Sequence, residues 1–160
     1  MPQKNSFSFV TIFVPMEISY YFYGSAWVGK KILRLYEIFS ECWCVETCAP
    51  RLRDRWSEEN KTCGQCSITA FLVQDLLGGE VYGIPLPDGN FHCYNVVDGV
   101  TFDLASEQFA AKFNDGVERP LCYENNPLQS RDVHFAKEEK RLRYELLRTK
   151  VENLMESIAK

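Results

Sequence analysis

Residues 61–77 change abruptly from a polar loop to an apolar helix, and Cys66 stands at the boundary. The positions after Cys66 are apolar on every side of a helix, which predicts a buried central helix rather than a surface helix. Gly78-Gly79 predicts its end, because glycine adopts a left-handed cap at little cost. In the first turn of such a helix, unpaired backbone N–H groups and the positive end of the dipole favour a thiolate and can hold an oxyanion. The pattern predicts a reactive thiol at Cys66.

His92 is one of the two histidines in the chain, and it lies in a segment with strand character. An Asp98-Gly99 pair follows, which is a strong signal for a two-residue hairpin turn, and a second short strand then ends at Asp103. Antiparallel pairing about this turn places Asp103 near Tyr94 or Asn95. Asp103 is therefore not directly opposite His92, but it is within reach of it along the neighbouring strand.

The order Cys66, His92, Asp103 suits a nucleophile, a base and a group that orients the base. Each residue also has a simpler interpretation. Free cysteines are often inert and buried, a strand histidine can bond to a backbone carbonyl, and an aspartate before a helix is often a cap. An Asp103→Asn variant would separate the two roles of Asp103, and the residues by themselves leave the choice open.

An ordered set of short motifs resembles the core of the transglutaminase-like branch of the papain-like cysteine enzyme superfamily. These motifs are Gly64-Gln65-Cys66, Gly78-Gly79, Ile84-Pro85, His92 and Asp103-Leu104. A larger set, across roughly residues 43 to 113, resembles more closely the YunG-like bacterial proteins, a family of unknown function. That set comprises Trp56, Gly64-Gln65-Cys66, Thr69-Ala70, Gln74-Asp75, Gly78-Gly79-Glu80, His92, Asn95, Asp103-Leu104 and Gln108-Phe109.

The resemblance implies an α+β fold with a papain-like core, in which the buried helix carrying Cys66 packs on a small antiparallel sheet. It also implies a thiol-dependent hydrolase or acyltransferase that acts on an amide or ester and needs no cofactor. In that chemistry Cys66 attacks the carbonyl carbon, His92 takes and returns the proton, and Asp103 orients the imidazole.

Further residues are assigned to the oxyanion or the substrate. We expect the backbone N–H of Cys66 to hold the oxyanion together with a donor from Gln65 or Asn60, and Asn95 is placed in the same group. The substrate is expected to be a small molecule or a peptide. The alternative class of function is a non-catalytic binding or scaffolding protein on the same fold, with its C-terminal helix as the contact surface for a protein partner.

Two other uses of the cysteines are open. Cys63-Gly-Gln-Cys66 has the form of a thiol-disulfide oxidoreductase motif, but a polar segment precedes it where that fold has an apolar strand. A zinc site could draw on five cysteines, of which only one pair has a common ligand spacing. They are Cys42, Cys44, Cys48, Cys63 and Cys93. We therefore expect no metal, and Cys63 can still act as a resolving thiol under oxidation.

Composition narrows the class of partner and the compartment. A chain of 160 residues is expected to form one domain, and a net charge of −4 without a basic stripe argues against nucleic acid. The seven cysteines are odd in number and match no small secreted scaffold, which predicts free thiols in a reducing cytoplasm. No membrane partner is expected.

The organisation is predicted as an N-terminal extension or strand over residues 1–28, with Met16 as an alternative start, and a single papain-like domain over residues 29–160. The apolar run at 7–14 is too short to span a bilayer and can be a strand or a weak signal peptide. The longest helix is predicted at 134–160. Its apolar stripe is Phe135, Leu142, Leu146, Val151, Leu154, Met155 and Ile158.

The remaining elements follow from periodicity and turn signals. They are a helix at 30–43, a short charged helix or turn at 51–56, strands at 80–86, 91–97 and 100–104, a helix at 105–113 capped by Ser106, and a loop at 114–133.

Overall fold

The computed structural model describes residues 12–13, 26–110 and 121–160. Expectations for the other residues lie outside this part of the chain, among them Met16 as a start, the end of the predicted helix at 113 and the first part of the predicted loop. In chain order the elements are β1 (Ile12–Phe13), α1 (Ala26–Cys42), α2 (Cys66–Leu77), β2 (Glu80–Pro85), β3 (Phe91–Val97), β4 (Val100–Asp103), α3 (Arg131–Phe135) and α4 (Glu138–Ile158). Among the described residues, 3-10 turns occur at Pro50–Arg55 and Ser106–Phe109.

The sheet has the order β1-β4-β3-β2, with β2, β3 and β4 antiparallel and β1 parallel to β4. The hairpin between β3 and β4 turns at Asp98 (φ 50°) and Gly99 (φ 76°), the positive angles that favour an Asp-Gly pair. Its register pairs Asn95 with Phe102, so Asp103 lies beyond that pair on the side of Tyr94. The predicted hairpin and its register are confirmed, and the fold is α+β. The strand β1 agrees with one of the two interpretations of the N-terminal run.

Helix α2 is the centre of the core, as its apolar sequence predicts. Ile68, Phe71 and Val73 are fully buried between the sheet and the neighbouring helices. The helix ends at Gly78 (φ 78°), whose N–H donates to the carbonyl of Gln74 at 2.8 Å. This packing fixes the position of Cys66, because the first residue of a buried helix cannot move independently of the core.

The predicted C-terminal helix is wrong in its start and partly wrong in its buried face, since of the seven stripe residues only Phe135, Val151 and Leu154 pack on the core. A break at Ala136 and Lys137 divides it into α3 and α4. The buried residues of α4 are Arg143, Tyr144, Leu147 and Val151. Four members of the predicted stripe are exposed instead, namely Leu142, Leu146, Met155 and Ile158. The face toward the core is the one that packs on α1 and α2 and inserts Arg143, and hydropathy alone did not identify it.

The predicted cap at Ser106 is also wrong. Ser106 is the first residue of a 3-10 turn, and Ala105 before it makes no side-chain cap. The N–H of Ala105 instead donates to Oδ1 of Asp103 at 3.0 Å. Asp103 therefore shapes the turn that follows β4. Separately, none of the described helices is both long and apolar enough to cross a bilayer.

Candidate active site

Cys66 is the first residue of α2 and is partly exposed in a cleft of about 920 Å³. Gly64, two residues before Cys66, has a φ of +69°. Its backbone lies so close to the preceding loop that an added Cβ would be 2.6 Å from Sγ of Cys48. A side chain would not fit there, so glycine is required for this approach. The thiol Sγ lies 3.8 Å from the carbonyl oxygen of Phe91, at the start of β3.

His92 and Asp103 form a buried pair beside the thiol. Nε2 of His92 lies 2.6 Å from Oδ2 of Asp103, and the two side chains are 0% and 1% exposed. An ionised carboxylate can only accept, so Nε2–H is the donor. In the part of the chain that the structure describes, no other group bonds Nδ1 of His92, which is the ring nitrogen left for Cys66. The imidazole also packs against the ring of Phe109 in a T-shaped arrangement, with ring centroids 4.7 Å apart.

The carboxylate of Asp103 is held from three sides. Besides the imidazole, Oδ2 accepts a hydrogen bond from the Tyr123 hydroxyl at 2.8 Å, while Oδ1 accepts from the N–H of Ala105. Three donors therefore surround a carboxylate that is only 1% exposed. Burial raises the pKa of Tyr123, with the charge of Asp103 acting in the same direction, so the phenol remains a donor. The Asp103 side chain is consequently held in one orientation against His92.

The electrostatics favour a thiolate–imidazolium pair. Burial alone lowers the pKa of His92, but the charge and hydrogen bond of Asp103, together with the Cys66 thiol, raise it to about 10. A hydrogen bond from the Cys93 thiol and the bond and charge of His92 hold the pKa of Cys66 well below its usual value, against the effect of burial. The pKa of Cys93 is raised by that same bond, so Cys93 stays protonated and donates. The site can thus hold a nucleophile and an acid at neutral pH.

Of the residues assigned to the oxyanion or substrate, only Asn60 lines the cleft. Gln65 is buried, and its amide nitrogen donates to the carbonyl of Cys44 at 3.0 Å. Asn95 is buried as well, and its amide donates to the carbonyl of Ala70 at 2.8 Å. Both amides hold backbone segments together inside the fold and do not reach the cleft. The backbone N–H of Cys66 has no intrahelical partner at the helix start and remains the available oxyanion donor.

The other cysteines have separate environments. The Cys63 thiol lies 3.8 Å from the carbonyl oxygen of Leu52, and its interaction with the Cys48 thiol lowers the pKa of Cys63 to about 7 and raises that of Cys48. Cys63 therefore contacts the preceding loop, and the charge of Cys66 also acts on its thiol. Within the described residues, no group of three or more His, Cys, Asp or Glu side chains could hold a metal ion.

Sequence reasoning assigned no role to several residues around the site. Tyr123 comes from a loop without periodicity, and no signal could have found it. Gln108 accepts a hydrogen bond from the N–H of Gly64 at 3.3 Å. His134 and Lys140 bring a second imidazole and an amine to the cleft from α3 and α4. The scarcity of histidine in the chain could have drawn attention to His134, whereas Lys140 stood among many charged helix residues.

These features define an α+β protein with a helix-start cysteine beside a buried histidine–aspartate pair. The chain belongs to the YunG family, since the family described as YunG protein matches residues 31–156, well over half of its length. It is similar to a Bacillus subtilis (strain 168) protein described as uncharacterized protein YunG. The two are 33% identical over 105 residues, which cover 66% of this chain and 82% of that protein. No solved structure matches the chain.

Proposed function

We propose that this protein is a thiol-dependent hydrolase or acyltransferase that forms an acyl-thioester on Cys66 from an amide or ester. One observation carries the proposal: a buried imidazole, bound through Nε2 to Asp103 at 2.6 Å, has its other nitrogen left for a thiol at a helix start. A histidine that served only the fold would not need a free Nδ1 beside a partly exposed cysteine.

The reaction begins with attack by the thiolate sulfur of Cys66 on the substrate carbonyl carbon. The carbon–sulfur bond forms and the carbonyl electrons move to oxygen, which the N–H of Cys66 and the dipole of α2 stabilise. The oxyanion then collapses and breaks the bond to the leaving nitrogen or oxygen. That leaving group takes the proton from Nδ1 of His92, and an acyl-thioester remains on the enzyme.

The second half of the reaction restores the thiolate of Cys66 and the imidazolium of His92. Water, or another acyl acceptor, gives a proton to Nδ1 of His92 and attacks the thioester carbon. The carbon–sulfur bond breaks, and Cys66 leaves as the thiolate. Throughout, Asp103 keeps the imidazole in one orientation and stabilises its positive charge.

The finer assignment of the fold is part of the same proposal. A cysteine on a buried helix, a histidine on the following strands and an aspartate on the next strand occur in the order of the transglutaminase-like branch of the papain-like superfamily. The contact between His92 and Asp103 across β3 and β4 supports that assignment. We infer that this is a papain-like core reduced to a small sheet.

A chromogenic ester tests the proposed function. Incubation with p-nitrophenyl acetate is expected to release a burst of about one nitrophenolate per chain and to leave an acetyl group on Cys66, located by peptide mass spectrometry. Cys66→Ala is expected to abolish the burst. Cys122→Ala is the matched control, because Cys122 is a more exposed free thiol and its loss should change nothing. A burst that survives in Cys66→Ala and disappears in Cys122→Ala would contradict the proposal.

A non-catalytic protein-binding role is a second candidate, favoured by the apolar side chains that α4 leaves exposed. Leu142 is 51% exposed and Ile158 is 49% exposed. Such a role predicts that Cys66 reacts no faster than Cys122 with esters and alkylating reagents. The same burst experiment separates the two functions.

A further inference from the structure

We infer that the wall of the cleft formed by α3 and α4 is a subsite for an anionic group of the acyl substrate, with Lys140 as its cationic partner. The inference rests on the proposed function, since it concerns the substrate that Cys66 would attack. It names a substrate class: acyl compounds that carry a carboxylate or another small anion near the reacting carbonyl.

Lys140 is held in position by a short hydrogen-bonded chain. Its amine Nζ lies 2.9 Å from Nδ1 of His134, and Nε2 of His134 lies 2.9 Å from Oε1 of Gln129. An ammonium can only donate, so Nδ1 accepts and Nε2–H donates to Gln129. Burial and the charge of Lys140 lower the pKa of His134 to about 4, which keeps that imidazole neutral. The amine consequently carries the charge, and because His134 is its one hydrogen-bond partner among the described residues, two of its three N–H groups are left for a ligand.

Lys140, His134 and Cys66 line the same cleft. Burial lowers the pKa of Lys140, and the charge of Cys66 acts against that effect, as expected for groups that share a partly enclosed space. An anion bound at the amine would therefore lie near a carbonyl positioned over the thiol. Such an anchor orients the reacting group, and positioning is a large part of the advantage of an enzyme.

The charges of the cleft favour an anion. Its lining contains five cationic side chains, Arg51, Arg55, Lys137, Lys140 and Arg143, and two carboxylates, Asp88 and Glu139. Both carboxylates already form ion pairs, Asp88 with Arg51 at 3.2 Å and Glu139 with Arg143 at 2.8 Å.

No carboxylate of the described residues forms an ion pair with Lys137 or Lys140. A partly buried cation without a counter-charge is unfavourable, and a bound anion would offset that cost.

Two alkylating reagents of nearly the same size provide the test. Iodoacetate is an anion and iodoacetamide is neutral, so the ratio of their rates at Cys66 measures the attraction of the cleft for negative charge. Lys140→Gln is expected to lower this ratio about five- to tenfold. The ratio is needed because any change in the ionisation of Cys66 affects both reagents equally.

Two further variants complete the design. Lys150→Gln removes the same charge from the same helix outside the cleft and should leave the ratio at the wild-type value. Lys140→Arg keeps the charge and should retain most of the preference. An unchanged ratio in Lys140→Gln, or an equal fall in Lys150→Gln, overturns the subsite. Failure of both reagents to label Cys66 faster than Cys122 overturns the proposed function, and the subsite with it.

Protection experiments identify the kind of anion. Succinate and inorganic phosphate are tested, at constant ionic strength, for slowing the reaction of wild-type Cys66 with iodoacetamide. Slowing by succinate that is lost in Lys140→Gln supports a carboxylate, and the same result with phosphate supports a phosphate ester. Absence of protection by either anion, or protection that persists in Lys140→Gln, contradicts the assignment to Lys140.

Discussion

Asp103 contacts His92 through one carboxylate oxygen and shapes the chain after β4 through the other. Oδ2 lies 2.6 Å from Nε2 of His92, and Oδ1 accepts the N–H of Ala105 at 3.0 Å. The sequence leaves an orienting role and a capping role as alternatives, and in the structure the contact that each role needs is made by a different oxygen. A substitution can therefore separate them.

An Asp103→Asn variant is expected to keep its fold and to lose thiol reactivity. The amide oxygen can still accept from Ala105, whereas the charge that supports the His92 imidazolium disappears. The pKa of His92 should then fall and that of Cys66 rise, so iodoacetamide labelling of Cys66 at pH ~6.5 should slow at least about tenfold. Asp103→Ala is the comparison, since it should also lose about 0.5–2 kcal/mol of unfolding free energy. If Asp103→Asn unfolds earlier but Cys66 is labelled at the wild-type rate, Asp103 only shapes the turn after β4 and does not support the imidazolium.

The pH dependence of stability is expected to reveal the Cys66–His92 pair. Between the unfolded pKa values of 6.5 for His92 and 9.0 for Cys66, the folded site holds its proton on His92 and the unfolded chain holds it on Cys66. The number of bound protons is the same, so the pair should contribute no net pH dependence to the unfolding free energy in this range.

In Cys66→Ser only His92 titrates. Burial lowers the folded pKa of His92, and we expect the charge and hydrogen bond of Asp103 to keep it above 6.5 in this variant. The stabilisation from His92 is then complete below pH 6.5 and is lost as pH rises toward the folded value. As pH rises above 6.5, the unfolding free energy of the variant should therefore fall relative to that of the wild type, by up to about 1.4 kcal/mol per pH unit. Urea unfolding at pH ~6 and ~8.5 measures the difference. Parallel curves for the two proteins would argue against the ion pair.

Arg143→Ala is expected to destabilise the protein strongly. Arg143 is nearly buried, and it donates to the carbonyls of Thr47 at 3.0 Å and Gly64 at 3.4 Å while bonding Glu139. Its loss would leave buried acceptors unsatisfied at about 2–4 kcal/mol of unfolding free energy. Arg148→Ala is the control, because Arg148 makes a similar i,i+4 pair with Glu152 at the surface. Equal changes in the urea midpoint for the two variants would contradict a clamping role.

Gly64→Ala is expected to disturb the approach to Cys66 more than its backbone angle alone requires. Gly64 and Gly89 both have positive φ, +69° and +82°, so alanine should cost about 1–2 kcal/mol at either position. At Gly64 the new Cβ would also lie 2.8 Å from the backbone nitrogen of Ala49, whereas at Gly89 nothing lies within 4 Å. The variant at 64 should unfold at clearly lower urea and label more slowly at Cys66. Similar urea midpoints for the alanine variants at 64 and 89 would show that the loop around Ala49 moves enough to accommodate the new Cβ.

The sequence correctly predicted those features of the site whose structure is determined by residues close together in the chain. The change from polar loop to apolar helix placed Cys66 at the first residue of α2, and the Asp98-Gly99 turn set the register that brings His92 and Asp103 together. A turn and an alternation of side chains are read from neighbouring residues, so one sequence is enough to derive them.

Tertiary packing decided which face of each helix is buried and which residues from distant parts of the chain meet at the site. Helical spacing showed that α4 has an apolar side, but packing on α1 and α2 chose which side is buried and placed Arg143 there. The same packing turned Gln65 and Asn95 inward and brought Lys140 to the cleft of Cys66, 74 positions earlier in the chain. Such contacts arise when separate elements exclude water from a shared core, and no local pattern encodes them.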